Sequence, residues 1–239
     1  GRRWSAARAY YHPVKHRLNL ELKTQLLTSR LVMDGNRVTG VQCGDQTFSG
    51  NQVILAAGAI NSPQILQLSG IGNAQHLESI GVDVKHDLPG VGENLQDHLE
   101  FNFQYRCKEP ITLNGNLDLI SKGMIGVRWL LFRDGLGSTN HFEACAFIRS
   151  QANVQWPDIQ YHFLPGAIAY DGSSAFKGHG FQVHVGHNKP TSRGFVRAAD
   201  GDVKNPPKIQ FNYLQTEEDK QGFRDAVRLT REIMSQPAM

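Results

Sequence analysis

The sequence predicts a mixed fold in two parts: an α/β part up to residue 98, and from residue 99 an antiparallel sheet with helices on one face. Three observations predict it. The apolar run at 52–59 (QVILAAGA) is bounded by turn residues, as in a strand buried on both faces. Apolar and polar residues alternate in several runs after residue 99. The clearest helical pattern covers residues 216–235, where acidic residues follow a threonine N-cap.

The first part is predicted to begin with strands. Residues 18–22 (LNLEL) and 26–43 (LLTSRLVMDGNRVTGVQC) are rich in apolar and β-branched residues, which favour strands. The triplet DGN at 34–36 is typical of a tight turn and predicts a hairpin.

Two short helices are predicted next. Ser62 is the expected N-cap of the first, Pro63 its first helical residue and Gly70 its C-terminal cap. A second helix is predicted over 73–80 and ends at Gly81.

The second part is predicted to be a sheet with an inserted helix. Helical spacing predicts that helix over 119–132 (LISKGMIGVRWLLF). The predicted strands share period-two alternation and polar flanking turns: 100–107, 143–150, 158–165, 180–187 and 193–198.

Composition excludes several classes of partner. The net charge of +3 comes from 25 basic and 22 acidic residues spread along 239 positions, so we expect no nucleic acid partner. Cys43, Cys107 and Cys145 lie far apart, which indicates neither a disulfide framework nor a zinc site and favours a reducing compartment. No apolar run approaches the roughly 18 residues of a membrane span, so any membrane contact is expected to be peripheral.

The short motifs on their own indicate no chemistry. The G-x-G pairs at 70–72 and 90–92 lack the third glycine of a dinucleotide fingerprint and are typical of turns. No G-x-S-x-G, P-loop or H-E-x-x-H sequence is present. His179, His184 and His187 could suggest a metal, but the last two fall on opposite faces of one strand, so no metal site is predicted.

A longer pattern carries a family resemblance. Residues 58–72 (GAINSPQILQLSGIG) resemble the second signature of the glucose-methanol-choline (GMC) oxidoreductases, flavoenzymes that oxidise alcohols. Residues 88–98 (LPGVGENLQDH) and 191–197 (TSRGFVR) match the same family in the same order. The resemblance is closest to the choline-oxidising branch and extends over essentially the whole chain, through the stretches 1–13, 92–101, 140–150, 160–173 and 223–238.

The resemblance implies FAD-dependent oxidation of choline to betaine aldehyde by hydride transfer to the flavin, with an unidentified electron acceptor. It implies that residues 1–98 are part of a Rossmann-like FAD-binding domain whose G-x-G-x-x-G unit precedes this segment. Residues 99–239 would be a substrate-binding domain, with the catalytic histidine beyond residue 239 and no catalytic residue within the segment. We expect such an internal fragment alone to bind no FAD tightly and to be inactive. The expected location is the cytoplasm or the periphery of the inner membrane.

The resemblance also suggests cofactor contacts. The strand end at Ala57, Gly58 and Ala59 is expected to lie against the ADP half of FAD, because small side chains let a ligand approach the backbone. Leu27 and Thr28 are weaker candidates for the adenine rim. A buried strand that turns into a helix would explain the same small residues without a flavin.

Glu100 is the principal substrate candidate. Choline has a quaternary nitrogen without N–H groups, so its binding requires a carboxylate in a poorly hydrated place and aromatic faces around the methyl groups. The resemblance places Glu100, two residues after His98, at that carboxylate position. An exposed glutamate at a strand start is the alternative.

Phe142 and His162 are the further substrate candidates implied by the resemblance, as an aromatic wall and a substrate-site histidine. Both could instead be core residues of antiparallel strands. Ile168 departs from the pattern, because a related choline oxidiser has an aromatic residue there.

Two other functions remain open at this point. The chain could belong to a GMC dehydrogenase of a neutral or polyol substrate, in which Glu100 is structural. It could also be a binding module that kept the fold and lost redox chemistry.

Overall fold

The structure is a computed structural model that describes residues 3–142, 144–169, 171–237 and 239. Glu143, which belongs to one predicted strand, lies outside the described residues. The α-helices in this part of the chain are α1 (Gly58–Leu68), α2 (Ala74–Ser79), α3 (Leu119–Phe132) and α4 (Glu217–Met234). Short helical turns occupy Ala7–Tyr11, Leu113–Asn116 and Leu136–Ser138. No helix of the described ranges combines the length and the apolar character that crossing a membrane requires.

The strands form small, mostly antiparallel sheets. They are β1 (Thr28–Asp34), β2 (Arg37–Cys43), β3 (Gln46–Ser49), β4 (Ile71–Gly72), β5 (His86–Asp87), β6 (Glu93–Leu95), β7 (Glu100–Arg106), β8 (Ala144–Ile148), β9 (Ile159–Leu164), β10 (Gly180–His187), β11 (Gly194–Arg197) and β12 (Lys208–Gln210). The sheet orders are β1-β2-β3, β7-β10-β9-β8, β12-β11-β6 and β4-β5, of which only the last pair is parallel. This mixture of helix and sheet confirms the predicted fold class.

The chain divides into two compact units that interleave in sequence. The α/β unit consists of residues 18–97 and 191–216, and the sheet unit of residues 1–17, 98–190 and 217–239. The predicted domains, 1–98 and 99–239, divide one residue later than these units, which divide between Asp97 and His98, and they differ further elsewhere. Residues 1–17 group with the sheet unit, and 191–216 return to the α/β unit, because β11 pairs with β6 there. A single boundary cannot represent pairing between strands that are distant in sequence.

In the α/β unit, helix α1 packs against the hairpin of β1 and β2. Leu31, Ile65 and Ile71 form the buried cluster, and Val53, Leu55 and Ala57 are among the partly buried residues around it. The hairpin turn is the predicted one, with Asp34 paired to Arg37 and Gly35 at a φ of +55°.

Two predicted strands are absent from the structure, at 18–22 and 52–59. A strand exists only where a neighbouring chain segment accepts its backbone hydrogen bonds, and neither run pairs with another strand among the described residues. Ile54, within the second run, is 82% exposed rather than buried on both sides. Apolar residues predict that a segment can be a strand, but they do not reveal its partner.

Helix α1 begins five residues earlier than predicted, at Gly58 instead of Pro63. Ser62 and Pro63 lie inside it, and Ser62 Oγ accepts a hydrogen bond of 3.0 Å from the Ala57 N–H, so the serine stabilises the helix start from within. The predicted ends are confirmed: Gly70 follows α1 with a φ of +84°, and Gly81 follows α2 with a φ of +75°. Helix α3 has the predicted bounds.

In the sheet unit, α4 covers one face of the four-stranded sheet. The buried cluster contains Ile159, Tyr161, Val183 and Val185 from the sheet and Ala226 from α4. Gly222 of α4 approaches His187 so closely that a Cβ would lie 3.1 Å from the imidazole ring. The alternation predicted for β7, β9 and β10 is therefore confirmed, and it leaves the opposite face of the sheet for other side chains. Strand β8 shows no alternation in burial, since its residues are exposed apart from the partly buried Ile148.

Gln67 is the polar link between α1 and β11. Its side chain is 1% exposed, and its amide nitrogen donates to the carbonyls of Val91 (3.3 Å) and Val196 (3.0 Å). Its amide oxygen accepts from the Ala198 N–H at 2.6 Å. One side chain thus satisfies three main-chain groups in the region where residues 88–98 and 191–197 meet.

Tyr213 and Asp97 form a second link within this unit. The Tyr213 hydroxyl donates to Asp97 Oδ2, and Tyr213 stacks on Phe211 with ring centroids 5.0 Å apart. Burial, followed by the hydrogen bond to Asp97 and its negative charge, raises the pKa of Tyr213 to about 12.

Gln67→Leu is predicted to lower the free energy of unfolding by about 2–4 kcal/mol, because it leaves buried main-chain groups without partners. Chemical denaturation measures this change. Gln75→Leu, at an exposed position of α2, is the matched control and should have little effect. Equal effects of the two substitutions would contradict the role of Gln67.

Asp97→Asn is predicted to lower the pKa of Tyr213 from about 12 toward the value of about 10 for a free tyrosine. The substitution removes the negative charge that opposes ionisation. Ultraviolet titration against the Tyr213→Phe variant isolates this phenol, and Asp45→Asn, at an exposed position of the same unit, is the control. An unchanged titration curve would show that Asp97 does not act on Tyr213.

Candidate functional site

The candidate substrate site lies on the face of the four-stranded sheet opposite α4. Strand register places its members side by side: Gly186 pairs with Glu100, His184 with both Asn102 and His162, and Cys145 with His162. Directly paired residues point to the same face, and so do residues two apart in one strand. Two predicted substrate residues, Glu100 and His162, therefore share this face with His184.

Glu100 Oε1 accepts a hydrogen bond of 2.8 Å from His184 Nδ1. The Glu100 side chain is 50% exposed and that of His184 is 12% exposed. The expectation of a poorly hydrated carboxylate is thus wrong for this chain. Glu100 is the first residue of β7, which is the edge strand of this sheet and whose residues on this face are all exposed, so water reaches half of its surface.

A buried glutamine supports His184 from the other side. Gln182 is 5% exposed, and its amide nitrogen lies 2.7 Å from His184 Nε2. Its amide oxygen accepts from the backbone N–H of Ile168 at 3.1 Å and from Gln104 Nε2 at 3.0 Å. Ile168, the position that lacks an aromatic residue, thus contributes to the site through its main chain.

Phe142 provides the aromatic surface. Its ring meets that of His184 edge to face, with centroids 5.4 Å apart, and that of His162 at 6.1 Å. The backbone N–H of Phe142 donates to Asn140 Oδ1 at 3.2 Å, which holds the residue at the end of its loop. Phe142 is 40% exposed, so it is not a core residue.

The structure brings together the three predicted substrate residues, Glu100, Phe142 and His162. Sequence reasoning missed His184 and Gln182, the residues that connect them. The available signal was the spacing of two in GFQVHVGH, which puts a glutamine and a histidine on the polar face of a strand. The sequence patterns single out His184 only as a metal-ligand candidate, and no group of three metal-ligating residues occurs within the described ranges.

The candidate cofactor residues lie in the α/β unit. Ala57 is partly buried beside the cluster of Leu31 and Ile65, whereas Gly58 and Ala59 are exposed. No side chain caps α1 at Ala57, and a Cβ on Gly58 would meet no atom within 4 Å. Open space beside the first backbone N–H groups of a helix fits the phosphate-bearing part of a dinucleotide.

Leu27 and Thr28 lie at the start of β1 in the same unit. Leu27 is 54% exposed and presents an apolar side chain that a planar base could cover. The Thr28 hydroxyl lies 3.4 Å from Cys43 Sγ, so it faces its own hairpin. Of this pair, Leu27 fits an adenine contact better than the side chain of Thr28 does.

The chain has clear relatives of known family. Residues 1–100 and residues 190–239 match the two family profiles described as GMC oxidoreductase. Over 244 residues the chain is 55% identical to the oxygen-dependent choline dehydrogenase of Photobacterium profundum, a match that covers all of this chain and 43% of the relative. The protein of that name from Escherichia coli is 51% identical over 246 residues, a match that covers all of this chain and 44% of the relative. The chain therefore spans less than half the length of these curated relatives.

Solved structures show the same fold. Pyridoxine 4-oxidase from Mesorbium loti superposes with a TM-score of 0.80 at 28% identity. The match covers 98% of this chain and 43% of the oxidase chain. An FAD-dependent oxidoreductase from Chaetomium thermophilum superposes with a TM-score of 0.82 at 22% identity. The match covers 98% of this chain and 48% of the oxidoreductase, and it supports the fold alone. The two family profiles show that the chain belongs to the GMC oxidoreductase family.

Proposed function

We propose that the protein to which this chain belongs is an FAD-dependent choline dehydrogenase that oxidises choline to betaine aldehyde. The observation that carries the proposal is the arrangement of Glu100, His184 and Phe142, in which a half-exposed carboxylate is hydrogen-bonded to an imidazole that meets a phenyl ring. The relatives from Photobacterium profundum and Escherichia coli bear the corresponding name, and they support the assignment.

Glu100 is the proposed anchor for the trimethylammonium group. At 4 Å and an effective dielectric constant near 20, the two charges attract by about 4 kcal/mol. Water reaches half of the carboxylate, so the net contribution is expected to be a fraction of that value. The edges and faces of Phe142 and His184 offer additional contact to the methyl groups.

The role of this anchor is positional. A cation held at one end of choline limits where the alcohol carbon at the other end can lie, and such orientation lowers the entropic part of the reaction barrier. His162, 6.1 Å from the Phe142 ring centroid, is proposed to line the same site. We assign no proton transfer to a residue of this chain.

FAD is the proposed cofactor and, when bound, would supply the hydride acceptor. Ala57, Gly58 and Ala59 are proposed to contact its ADP half through backbone groups, and Leu27 to cover the adenine. Thr28 would contribute through its backbone. For this chain alone, weak FAD binding and no turnover remain the expectation.

The remaining partners follow from the same proposal. The relatives are described as oxygen-dependent, so dioxygen is the electron acceptor to test first.

The functional division that we propose is a partial FAD-binding domain within residues 1–98 and a substrate-binding domain within 99–239. Cytoplasmic location with or without peripheral attachment to the inner membrane is proposed on the resemblance alone.

One observation favours a second candidate function. A half-exposed glutamate beside a histidine also fits a structural role, as in a GMC dehydrogenase of an uncharged alcohol. In that case the charge of Glu100 would not affect the choice of substrate. The two functions are separated by measuring KM for a charged and for an uncharged alcohol in a variant of Glu100 and in a control variant.

Glu100→Gln in the FAD-loaded protein is predicted to raise KM for choline by about 10- to 100-fold, the equivalent of about 1.4–2.8 kcal/mol. The KM of the uncharged isostere, with a tert-butyl group in place of trimethylammonium, should change far less. The reason is that only the cation interacts with the carboxylate charge. Steady-state kinetics on both substrates measures the difference.

The control for this substitution is Glu109→Gln, which removes the same charge at an exposed position of the same unit. It should leave both KM values near those of the wild type. Equal losses for choline and for the isostere in Glu100→Gln would favour the structural role and remove the anchor from the proposal.

Gly58→Ala is predicted to reduce FAD affinity several-fold, because a methyl group would occupy the space proposed for the cofactor. Gly81→Ala is the matched control: both glycines have a positive φ and open space around a Cβ, so both substitutions add similar strain of about 1 kcal/mol. Flavin absorbance per mole of protein, measured over a range of added FAD, reports the affinity. Identical flavin content in the two variants would contradict the proposed contact.

A further inference from the structure

The buried amide of Gln182 has only one orientation that satisfies its neighbours. The backbone N–H of Ile168, 3.1 Å away, can only donate, so the atom facing it is the amide oxygen. The other end of the amide, 2.7 Å from His184 Nε2, is then the NH₂ group. Gln104 Nε2 donates to the same oxygen at 3.0 Å and agrees with this orientation.

The orientation of Gln182 decides where His184 holds its proton. An NH₂ group can only donate, so Nε2 of His184 must present its lone pair, and the ring proton lies on Nδ1. That proton is directed at Glu100 Oε1, 2.8 Å away. A second proton, on Nε2, would point at the hydrogens of the Gln182 amide.

The consequence concerns the charge of the site. With a lone pair on Nε2, His184 donates a hydrogen bond to Glu100 without adding a positive charge beside it. Within the described ranges, no lysine or arginine lies at ion-pair distance from Glu100, whose one partner at such a distance is the His184 ring. The negative charge of the carboxylate is therefore left for a ligand.

We propose, on the basis of the proposed function, that Gln182 is a positioning residue that selects for cationic substrates. It fixes the His184 proton on Nδ1 and prevents an internal ion pair between Glu100 and an imidazolium. The other titratable or charged groups on this face are Arg106, which pairs with Gly180 at the far end of β7, His162, paired with His184 across the strands, and Cys145 beyond it. Among the described residues, His184 hydrogen-bonds only Gln182 and Glu100.

The direct test is nitrogen-15 NMR of the FAD-loaded protein with labelled histidine, in which the His184 signals are assigned by their loss in His184→Gln. The wild-type protein is expected to show a protonated Nδ1 and a bare Nε2. A wild-type spectrum with the proton on Nε2, or on both nitrogens, would overturn the proposal whether or not the protein oxidises choline.

Gln182→Met keeps the volume of the side chain and removes the donor to His184. It is expected to abolish the fixed Nδ1–H form and to raise KM for choline by roughly two- to tenfold, with a smaller change for the tert-butyl isostere. Gln160→Met is the control, since Gln160 lies on the same face of the neighbouring strand and does not hydrogen-bond His184. Its spectrum and its KM ratio should match the wild type.

The outcomes distinguish this inference from the proposed function. The wild type could show the fixed Nδ1–H form while Gln182→Met leaves the ratio of KM for choline to KM for the tert-butyl isostere unchanged. That result would refute charge selection by Gln182, and the anchoring role of Glu100 would still be tested separately by Glu100→Gln. A shifted ratio in Gln160→Met equal to that in Gln182→Met would likewise refute it.

Discussion

The two-faced packing of one antiparallel sheet is the constraint on which the candidate site depends. Helix α4 buries the face that contains Tyr161, Val183 and Val185, and period-two alternation then forces the intervening side chains to the other side. Glu100 and His184 can meet there because β7 and β10 pair in a fixed register. A slip by one residue would send the carboxylate toward the apolar core and separate it from the imidazole.

The sequence predicted the elements whose cause is local. Alternation predicted the strands of this sheet, glycine predicted the ends of α1 and α2, and helical spacing predicted α3 with its observed bounds. The candidate substrate residues came from the family resemblance, and the structure adds their proximity. That proximity comes from pairing among strands that are far apart in sequence, which residue patterns alone do not specify.

The features that the sequence could not predict depend on which segments of the chain pair with, or cover, one another. The run 52–59 has the composition of a buried strand but no neighbouring strand among the described residues, and Ile54 is exposed as a result. The interleaved units could not be predicted from a change in composition, because residues 191–216 return to the first part through pairing of β11 with β6. The exposure of Glu100 depends on what covers a sheet face, and the roles of Gln182 and His184 follow from hydrogen bonds that only coordinates reveal.

The central claim is that the open face beside Glu100 binds a permanent cation. The most direct measurement is a crystal structure of the FAD-loaded protein with tetramethylammonium, which has the charged group of choline and no oxidisable alcohol. The account predicts the quaternary nitrogen within about 4–6 Å of the Glu100 carboxylate and in contact with the Phe142 ring. A cation bound elsewhere, with this face occupied only by water, would contradict the account.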